Sequence, residues 1–586
     1  MLHSRIESRL REAVLAVVPD ADPSAVQVRP ASDAKLGDYQ SSVVMGLAKP
    51  RGLNPRALAA DVVARLDVGE WCEAVEVAGP GFLNFRLSAS AMESALAGAV
   101  AAPVPFVEPA RPRRTVVIDF SSPNVAKPMH IGHVRSTVLG DALARTLRLL
   151  GHEVVTDNHI GDWGTQFGML LLGWKTRLDP AALARDPIAE LERIYKAVNA
   201  ACDADPAVRG AAKAELVRLQ GGDAENLGIW REMIRLSQSQ FDAIYGRLGV
   251  TFDHTLGESF YNPWLAQVVA DMAARGIARD SEGAMAVFSR GDVAPKDDPF
   301  KIQRDGAWHD MPLLVQKSDS GFNYATTDLA TLDYRIRTWS PTDILYVTDG
   351  RQQGHFRQVF AAFQAWKPEA AAATRLHHVW FGSILGEDGK PFKTRSGDTV
   401  RLGEVLDEAE ERAWAVVREK RPDLPEAVQR EIARVVGVGA VKYQDLLPNR
   451  QSDYVFSWDK MLALQGNTSP YLQYQYTRAA KVVRDGGWTP AAGAGIRVGT
   501  PEERALARHL LNFGLVLAAV AEEARPNYLC NYLYELAGWS SRFYEACPVL
   551  RSEEPLRSSR LALCHLTARV LKAGLECLGI GVSEQM

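Results

Sequence analysis

The sequence is poor in the features that mark several classes of protein. It has six cysteines among 586 residues, and no two of them form a Cys-x-x-Cys pair. This usage argues against a zinc ribbon and a compact disulfide framework, so we expect reduced thiols, no zinc and a cytoplasmic protein. The formal net charge is −4, so no overall positive field indicates a nucleic-acid partner.

Long apolar runs are also missing. The stretch 515–521 is apolar but ends at Glu522, far short of the roughly 20 residues that span a bilayer. Arg5, Glu7 and Arg9 interrupt the first ten residues, which argues against a signal peptide. We therefore expect no membrane partner.

The length suggests three or four domains, at roughly 150 residues each. The patterns predict an N-terminal α/β module over 1–108 and an α/β nucleotide-binding domain over 109–403. Helical, charge-rich patterns over about 175–255 indicate an insertion in that domain. A connecting helical region over 404–465 and an all-α domain over 466–586 complete the prediction.

The nucleotide-binding domain opens with a strand, a turn, a helix and a second strand. Thr115–Phe120 is a β-branched run suited to a buried parallel strand. An apolar helical stripe starts at about Gly132, and Gly151 is a natural residue just past the end of that helix. Val154–Thr156 then begins another strand, so we predict a Rossmann-like, doubly wound sheet.

The turn between the first strand and its helix carries the strongest chemical signal. It ends in Lys127-Pro-Met-His130-Ile-Gly132-His133. A helix N-terminus offers free N–H groups and a positive dipole to phosphate, and two imidazoles could add donors to an α-phosphate. Gly132 leaves room for a nucleotide base. The alternatives are two surface histidines or a metal pair, but the strand–turn–helix position favours phosphate.

This segment resembles the His-Ile-Gly-His signature of class I aminoacyl-tRNA synthetases. Its lead-in, Ser-Ser-Pro-Asn-x-x-Lys-Pro, resembles the bacterial arginyl-tRNA synthetases in particular, and the likeness extends along the whole chain. The resemblance implies a class I catalytic domain between an N-terminal module and a helical anticodon-binding bundle. It also implies no tightly bound cofactor.

The second signature of the class, Lys-Met-Ser-Lys-Ser in most members, is incomplete here. The corresponding loop is Gly389-Lys-Pro-Phe-Lys393-Thr-Arg-Ser396-Gly, which supplies the first lysine and lacks the second. In arginyl enzymes with this departure, a lysine before the first histidine is present, and Lys127 matches it. The resemblance implies ATP·Mg²⁺ binding by His130, Gly132, His133, Lys393 and Ser396, and catalysis by His130, His133, Lys127 and Lys393.

A substrate guanidinium needs carboxylates and few competing cations. Tyr324 and Asp328 resemble the arginyl family's Tyr-x-x-x-Asp, and one helical turn separates them. Glu258 is a weaker candidate for a second acid. The alternative for Asp328 is a helix cap or surface ion pair, but the tyrosine spacing favours a pocket. The resemblance assigns the α-amino and carboxylate ends of the bound arginine to Ser122, Pro123, Asn124, His133 and Gln352. Asp119 lies at the end of the strand, where it could meet the amine.

The last third of the chain interleaves aromatic and basic side chains. From Tyr471 to Met586 there are 13 Lys+Arg and 11 Asp+Glu, which neither compels nor excludes RNA binding. Aromatic rings stack on unpaired bases, although an aromatic helix core is the alternative. The resemblance implies tRNA contacts, at the elbow or the anticodon, by Tyr39, Gln40, Tyr471, Gln473, Tyr474, Tyr476, Arg478 and Lys481.

The resemblance implies an arginine–tRNA ligase that takes L-arginine, ATP and tRNA(Arg), acts as a monomer and needs tRNA for arginine activation. A class I synthetase for another amino acid is a rival, but Tyr324 and Asp328 favour a cationic substrate. A smaller nucleotidyltransferase would not need the helical last third. A non-catalytic tRNA-binding paralogue would usually have lost the histidines or the lysines, which are all present.

Overall fold

The computed structural model describes residues 1–390, 392, 400–490 and 495–586. Its first unit is a four-stranded antiparallel sheet packed with helices, in the strand order β1-β2-β4-β3. The first helix buries Ile6, Leu10 and Val14 at helical spacing and ends before Pro19. The elements of this unit are α1 (Leu2–Val17), β1 (Arg29–Pro30), β2 (Tyr39–Ser41), α2 (Val43–Arg51), α3 (Pro55–Val63), β3 (Cys72–Ala78), β4 (Phe82–Leu87) and α4 (Ala89–Ala101).

The second unit contains a parallel sheet with helices on both faces. Its elements are β5 (Thr115–Asp119), α5 (Gly132–Leu149), β6 (Glu153–Asp157), α6 (Gln166–Arg177), α7 (Pro180–Arg185), α8 (Pro187–Ala204), α9 (Pro206–Gln220), α10 (Ala224–Leu248), α11 (Glu258–Tyr261), α12 (Leu265–Ala274), β7 (Ala278–Ser281), β8 (Ala284–Val287), β9 (Lys301–Arg304), β10 (Ala307–Asp310), β11 (Leu313–Gln316), α13 (Tyr324–Trp339), β12 (Asp343–Tyr346), α14 (Gln353–Trp366), α15 (Pro368–Ala373), β13 (Arg375–His378) and β14 (Ile384–Leu385).

The parallel sheet has the order β13-β12-β5-β6, with every pair in parallel register. The predicted strand, turn, helix and strand are therefore confirmed as β5, α5 and β6. In such sheets a ligand binds beyond the carboxyl ends of the strands. Here the loops after β5, β6 and β12 meet at that edge.

Two parts of this unit lie outside the parallel sheet. Helices α6 to α10 follow β6 as a separate helical block. Strands β7, β8 and β11 form a small antiparallel sheet, and β9 pairs with β10 in a hairpin. The sequence analysis did not predict these strands, because each is only four residues long and β10 is exposed along its length.

Helices dominate the last part of the chain. The elements are α16 (Leu402–Lys420), α17 (Glu426–Leu446), β15 (Tyr454–Val455), α18 (Trp458–Met461), α19 (Ser469–Asp485), α20 (Pro501–Leu511), α21 (Phe513–Glu523), α22 (Asn527–Ala546) and α23 (Leu556–Cys577). The regions after residue 404 were predicted to be helical, and this is wrong at one short strand, β15. Strand β15 pairs with β14 of the second unit and so ties the two units together.

One stretch of the described residues, Pro501–Glu523, is long and apolar enough to pass for a membrane-crossing helix by length and composition. It consists of α20 and α21, which meet at Asn512. Leu506, Leu510 and Leu517 are fully buried within the helical bundle. The apolar character of this stretch therefore serves the core of the bundle in this structure.

Candidate active site

The turn after β5 has an unusual backbone. Ser121, Ser122 and Ala126 all have positive φ, at 71°, 47° and 63°, which is uncommon for residues with a side chain. Such conformations persist only where the surroundings impose them. Their three N–H groups donate, in the same order, to Ser136 Oγ at 2.8 Å, Asn158 Oδ1 at 3.0 Å and Ser237 Oγ at 2.9 Å.

The same turn is joined to the loop after β6. Gly161 donates its N–H to the Pro123 carbonyl at 3.0 Å, and Val125 donates to the Gly161 carbonyl at 3.0 Å. Asn124 lies between these bonds with an exposed side chain. A Cβ at Gly161 would stand 2.3 Å from Asn124 Oδ1, so the glycine keeps the Asn124 amide in place.

Both histidines of the turn accept a backbone hydrogen bond at Nδ1. His130 Nδ1 accepts from the Gly132 N–H, and His133 Nδ1 accepts from the His130 N–H, each at 3.1 Å. Burial lowers the pKa of His133 to about 3, and burial and Lys127 lower the pKa of His130. Both rings are therefore neutral near pH 7, with Nδ1 as acceptor and the proton on Nε2. Two Nε2–H donors, on rings 4.0 Å apart, are available at the start of α5.

Gly132 has a second reason to be glycine. A Cβ there would lie 2.9 Å from His130 Cε1, so a side chain would displace the first imidazole. The sequence analysis explained this glycine by the approach of a nucleotide base alone. The structure adds that Gly132 preserves the geometry of the histidine pair.

Lys127 is exposed, and its ammonium lies 5.4 Å from the ring centroid of Tyr195. Lys393 and Ser396 lie outside the described residues. The backbone just beyond them is attached to the histidine turn: Ile131 donates to the Val400 carbonyl at 3.0 Å, and Leu402 donates to the Met129 carbonyl at 2.9 Å.

The structure brings Tyr324 and Asp328 together at the start of α13. The Asp328 carboxylate lies 2.5 Å from His355 Nε2, and the exposed Tyr324 ring packs edge-on against the same histidine at 4.8 Å. Asn323, not Asp328, caps this helix. Asp328 is therefore not the helix cap, and its contact with His355 is of the kind that the second alternative, an ion pair, describes.

A second acidic group stands near Asp328. Glu258 begins α11, and burial, with the nearby carboxylates of Asp162 and Asp328, raises its pKa to about 7. Asp162 is itself buried and accepts from the Ser259 N–H at 2.8 Å and from Ser259 Oγ at 2.6 Å. Burial raises its pKa as well. The carboxyl groups of Asp162 and Asp328 thus both act on Glu258, and carboxylates match the geometry of a guanidinium.

The sequence analysis missed Asp162 and His355. Asp162 lies five positions after the end of β6, the strand that pairs with β5. His355 lies three positions after the predicted residue Gln352. The rule that ligands bind beyond the carboxyl ends of the strands was the available signal for both. Gln352 itself is exposed in the loop after β12.

The expectation that Asp119 meets the substrate amine directly needs correction. Its carboxylate is buried and lies 2.7 Å from the Arg335 guanidinium, which also contacts Asp157 at 2.8 Å. Ser122 Oγ donates to the other Asp119 oxygen at 3.0 Å. The charge of Asp119 is therefore already paired inside the protein, and Asp119 holds the turn in place through its hydrogen bond from Ser122. Pro123 is likewise buried.

Three of the predicted tRNA contacts are interior side chains. Tyr39, Gln473 and Tyr476 are buried. Gln473 donates to the Gly581 carbonyl at 2.8 Å, and Tyr476 donates to Glu584 at 2.6 Å. The prediction of a direct RNA contact is corrected for these three, because their polar atoms serve internal packing.

The remaining predicted RNA residues are accessible. Tyr474 is 47% exposed, Lys481 is exposed, and Gln40 and Tyr471 are half-buried. Arg478 lies 4.4 Å from the ring centroid of Tyr544 on α22. Tyr534 and Tyr544 are exposed aromatics that the sequence analysis did not name as contacts.

All six cysteines are buried and free. Among the described residues, no group of three or more His, Cys, Asp and Glu side chains is arranged to hold a metal ion. The donors at the start of α5 are N–H groups, which suit phosphate oxygens.

Known proteins resemble this chain over its full length. Family models match residues 101–458 (tRNA synthetases class I (R), catalytic domain), 472–586 (DALR anticodon binding domain) and 2–87 (arginyl tRNA synthetase N terminal domain). The arginine–tRNA ligases of Hahella chejuensis and Chromobacterium violaceum are 44% and 45% identical, each covering 100% of both chains.

Solved structures agree. The arginyl-tRNA synthetase of Thermus thermophilus superposes with a TM-score of 0.84 at 27% identity, covering 100% of both chains. That of Plasmodium falciparum gives 0.82 at 26% identity, covering 100% of this chain and 99% of that one. The strand–turn–helix site, its acidic pocket and the helical bundle are thus parts of one known architecture, and the chain belongs to the class I arginyl-tRNA synthetases.

Proposed function

We propose a division of the ligase reaction among the residues of this chain. The enzyme joins L-arginine to ATP as arginyl-adenylate and then passes the arginyl group to tRNA(Arg). The observation that carries the assignment is a site with two neutral imidazoles at one end and three carboxyl groups at the other. The first end suits a phosphate and the second suits a guanidinium.

At the phosphate end, an arginine carboxylate oxygen attacks the α-phosphorus of ATP and pyrophosphate leaves. The Nε2–H groups of His130 and His133 donate to the oxygens whose charge changes in this step, together with the N-terminus of α5. Neutral donors need no proton transfer, because the attacking carboxylate is already ionised. Lys127 and Lys393, with Ser396 and substrate Mg²⁺, neutralise the departing pyrophosphate, and Gly132 leaves room for the nucleotide.

At the arginine end, Asp328 and Glu258 meet the guanidinium, and the Tyr324 phenol lies beside it. His355 holds the Asp328 carboxylate. Ser122, Pro123, Asn124, His133 and Gln352 surround the α-amino and carboxylate groups. Asp119 acts indirectly, through its hydrogen bond from Ser122.

We also propose that α19 forms the anticodon surface, through Tyr471, Tyr474, Arg478 and Lys481. Gln40 of the N-terminal module faces the tRNA elbow. Exposed rings beside cations fit unpaired bases and phosphates.

Tyr474→Ala tests this surface. Base stacking on an aromatic side chain contributes about 1–3 kcal/mol, so the Kd for tRNA(Arg) should rise by at least roughly fivefold. Filter binding measures it, and Trp308→Ala, which removes an exposed ring from the β10 hairpin, is the matched control. An equal Kd for the two variants would remove Tyr474 from the surface.

Further proposals concern the state of the protein: a cytoplasmic monomer with no bound zinc and no membrane association, divided into units at 1–108, 109–403, 404–465 and 466–586. Six buried free cysteines support a reducing compartment. Light scattering on purified protein and metal analysis test the monomer and the absence of zinc.

ATP–pyrophosphate exchange with all amino acids, with and without tRNA, tests the reaction itself. Of all the amino acids, we expect arginine to be the single one that supports exchange, and we expect that exchange only when tRNA(Arg) is present. Exchange driven by another amino acid would overturn the substrate assignment. Full exchange in tRNA-free protein would overturn the tRNA requirement and leave the ligase assignment intact.

A further inference from the structure

Helix α5, which presents the two histidines, carries two charged residues on its buried face. Arg135 and Asp141 are both at least 93% buried, and each has its partner on α17. Arg135 Nε lies 3.2 Å from Asp445 Oδ1, and Lys442 Nζ lies 3.7 Å from Asp141 Oδ2. The two pairs have opposite polarity: one cation belongs to α5 and the other to α17.

Buried pairs of opposite polarity define how two helices dock. Lys442 and Asp445 have fully buried side chains, so neither can turn to water if its partner moves away. A shift of α5 by one turn along α17 would separate both pairs and leave charges unpaired inside the protein. The pairs therefore select one register of α5, the helix that begins at the histidine turn.

Lys442 has a second partner near the end of the chain. Its ammonium donates to the Gly579 carbonyl at 2.7 Å, just past the end of α23. Gly579 has a φ of 69°, and a Cβ there would lie 2.7 Å from Lys442 Nζ and 2.6 Å from Asp141 Oδ2. One cation thus joins α5, α17 and α23.

Helix α17 also contacts α19, the helix proposed to face RNA. Gln473 donates to the Val435 carbonyl of α17 at 3.2 Å. A Cβ at Gly439 would lie 2.9 Å from Ser469 Oγ and 3.1 Å from Gln473 Nε2, so the two helices approach closely there. Gln473 is next to the exposed Tyr474, so the interior and exterior faces of α19 move together.

We propose that Lys442 and Asp445 are positioning residues for adenylate formation: through their buried pairs with α5 they keep the His130/His133 turn in register with the RNA-bound helical bundle. The inference rests on the proposed tRNA surface and on tRNA-stimulated activation. A change at α19 on RNA binding passes to α17 through Gln473 and from α17 to α5 through the two pairs.

Lys442→Met tests the proposal. Methionine keeps the unbranched apolar stem, and Asp141 remains paired with Arg145, whose Nε is 2.9 Å from both carboxylate oxygens. The unfolding midpoint of each variant is measured as well, so that a loss of folded protein is distinguished from a loss of positioning. Arg434→Met is the matched control, because it removes a cation from the exposed side of the same helix.

The measurements are ATP–pyrophosphate exchange at saturating arginine, ATP and tRNA(Arg), and tRNA binding. We expect the kcat of Lys442→Met to fall at least tenfold, with the Kd for tRNA and the KM for arginine within twofold of the Arg434→Met values. Asp445→Asn should behave in the same way; Arg135 keeps its bonds to the Gly382 and Ser452 carbonyls, which protects the fold.

Three results would overturn the inference. Equal kcat for all three variants would show that the pairs do not position the site. A tenfold rise in the Kd for tRNA that matches the fall in kcat would show that they only support the RNA surface. Exchange by the wild-type enzyme that does not depend on tRNA would refute the coupling, and with it the proposed tRNA requirement. The ligase assignment would stand in that case, because arginine-dependent exchange tests it separately.

Discussion

The two ends of the active site are built by different means. At the phosphate end, backbone N–H groups and two imidazoles are held by a turn with three positive φ angles, and each constrained residue has a hydrogen-bonding partner. At the proposed guanidinium end, burial raises the pKa of Glu258 to about 7, and the carboxylates of Asp162 and Asp328 add to the shift while His159 opposes it.

This difference indicates when each end becomes complete. Neutral donors that are already oriented need no rearrangement when charge develops in the transition state. Buried acids without sufficient cations hold a proton until a cation arrives, and the substrate supplies that cation. The phosphate end should therefore act on kcat, and the guanidinium end on arginine binding and its pH dependence.

The largest expected effect is at the phosphate end. His130→Ala removes one Nε2–H donor and should lower the kcat of adenylate formation by roughly 10²–10³, with little change in the KM for arginine. Exchange kinetics measure both constants, and His309→Ala on the exposed strand β10 is the control. A near-normal kcat in folded His130→Ala would contradict the assignment of His130 to the α-phosphate.

The next largest effect should come from the guanidinium end. Asp328→Asn keeps the shape and removes the charge, and leaving a buried cation unpaired costs about 3–5 kcal/mol, so kcat/KM for arginine should fall by at least ~10². Asp333→Asn, on the same helix and paired with Lys367, is the control. If kcat/KM stays unchanged, another acid such as Glu258 carries the guanidinium, and the comparison between the ends needs revision.

Gly161→Ala should have an intermediate effect because it displaces a group without deleting it. The new Cβ would stand 2.3 Å from Asn124 Oδ1, so the amide must rotate away from its place at the α-amino end. A misplacement of about this size should lower kcat/KM for arginine by roughly 10–10². Gly228→Ala, which meets open space, is the control, and equal kinetics for the two variants would mean that the Asn124 position is unimportant.

The smallest effect separates the two ends by pH. Glu258 has a pKa of about 7, so its carboxyl is neutral below that pH and anionic above it. A guanidinium pairs with the anion, so the KM for arginine should fall roughly tenfold between pH 6 and pH 8. In Glu258→Gln this dependence should vanish. His133, with a pKa of about 3, stays neutral over the range and should add no slope to kcat.

Much of the phosphate end followed from local sequence. The β-branched run, the polar turn and the helical stripe from Gly132 predicted β5, α5 and the position of His130 and His133. The Tyr324–Asp328 spacing likewise placed two side chains on one helical face. Periodicity carries the strand and the helix, whereas the assignment of the histidines and of the Tyr324–Asp328 pair came from the resemblance to the arginyl enzymes.

The sequence pattern did not predict which side chains are exposed where exposure depends on packing. The aromatic and polar residues of α19 have no local mark that separates Tyr474, which is exposed, from Gln473 and Tyr476, which are buried. The same holds for Tyr39 in β2. The short strands β7 to β11 escaped prediction for a related reason, since four residues give too little alternation to detect.

By itself, the sequence determined the opening strand, helix and strand of the catalytic domain, the histidine turn and the family, because each of these is written in contiguous residues. Only the tertiary structure decided which charges meet. Asp119 is paired with Arg335, 216 positions away, and Arg135 with Asp445, so these acids and cations serve the interior. Glu258 has no such ion pair among the described residues, and we propose that it serves the substrate together with Asp328. Ion pairs depend on distances across the folded core, and those distances exist only after the helices and strands have packed.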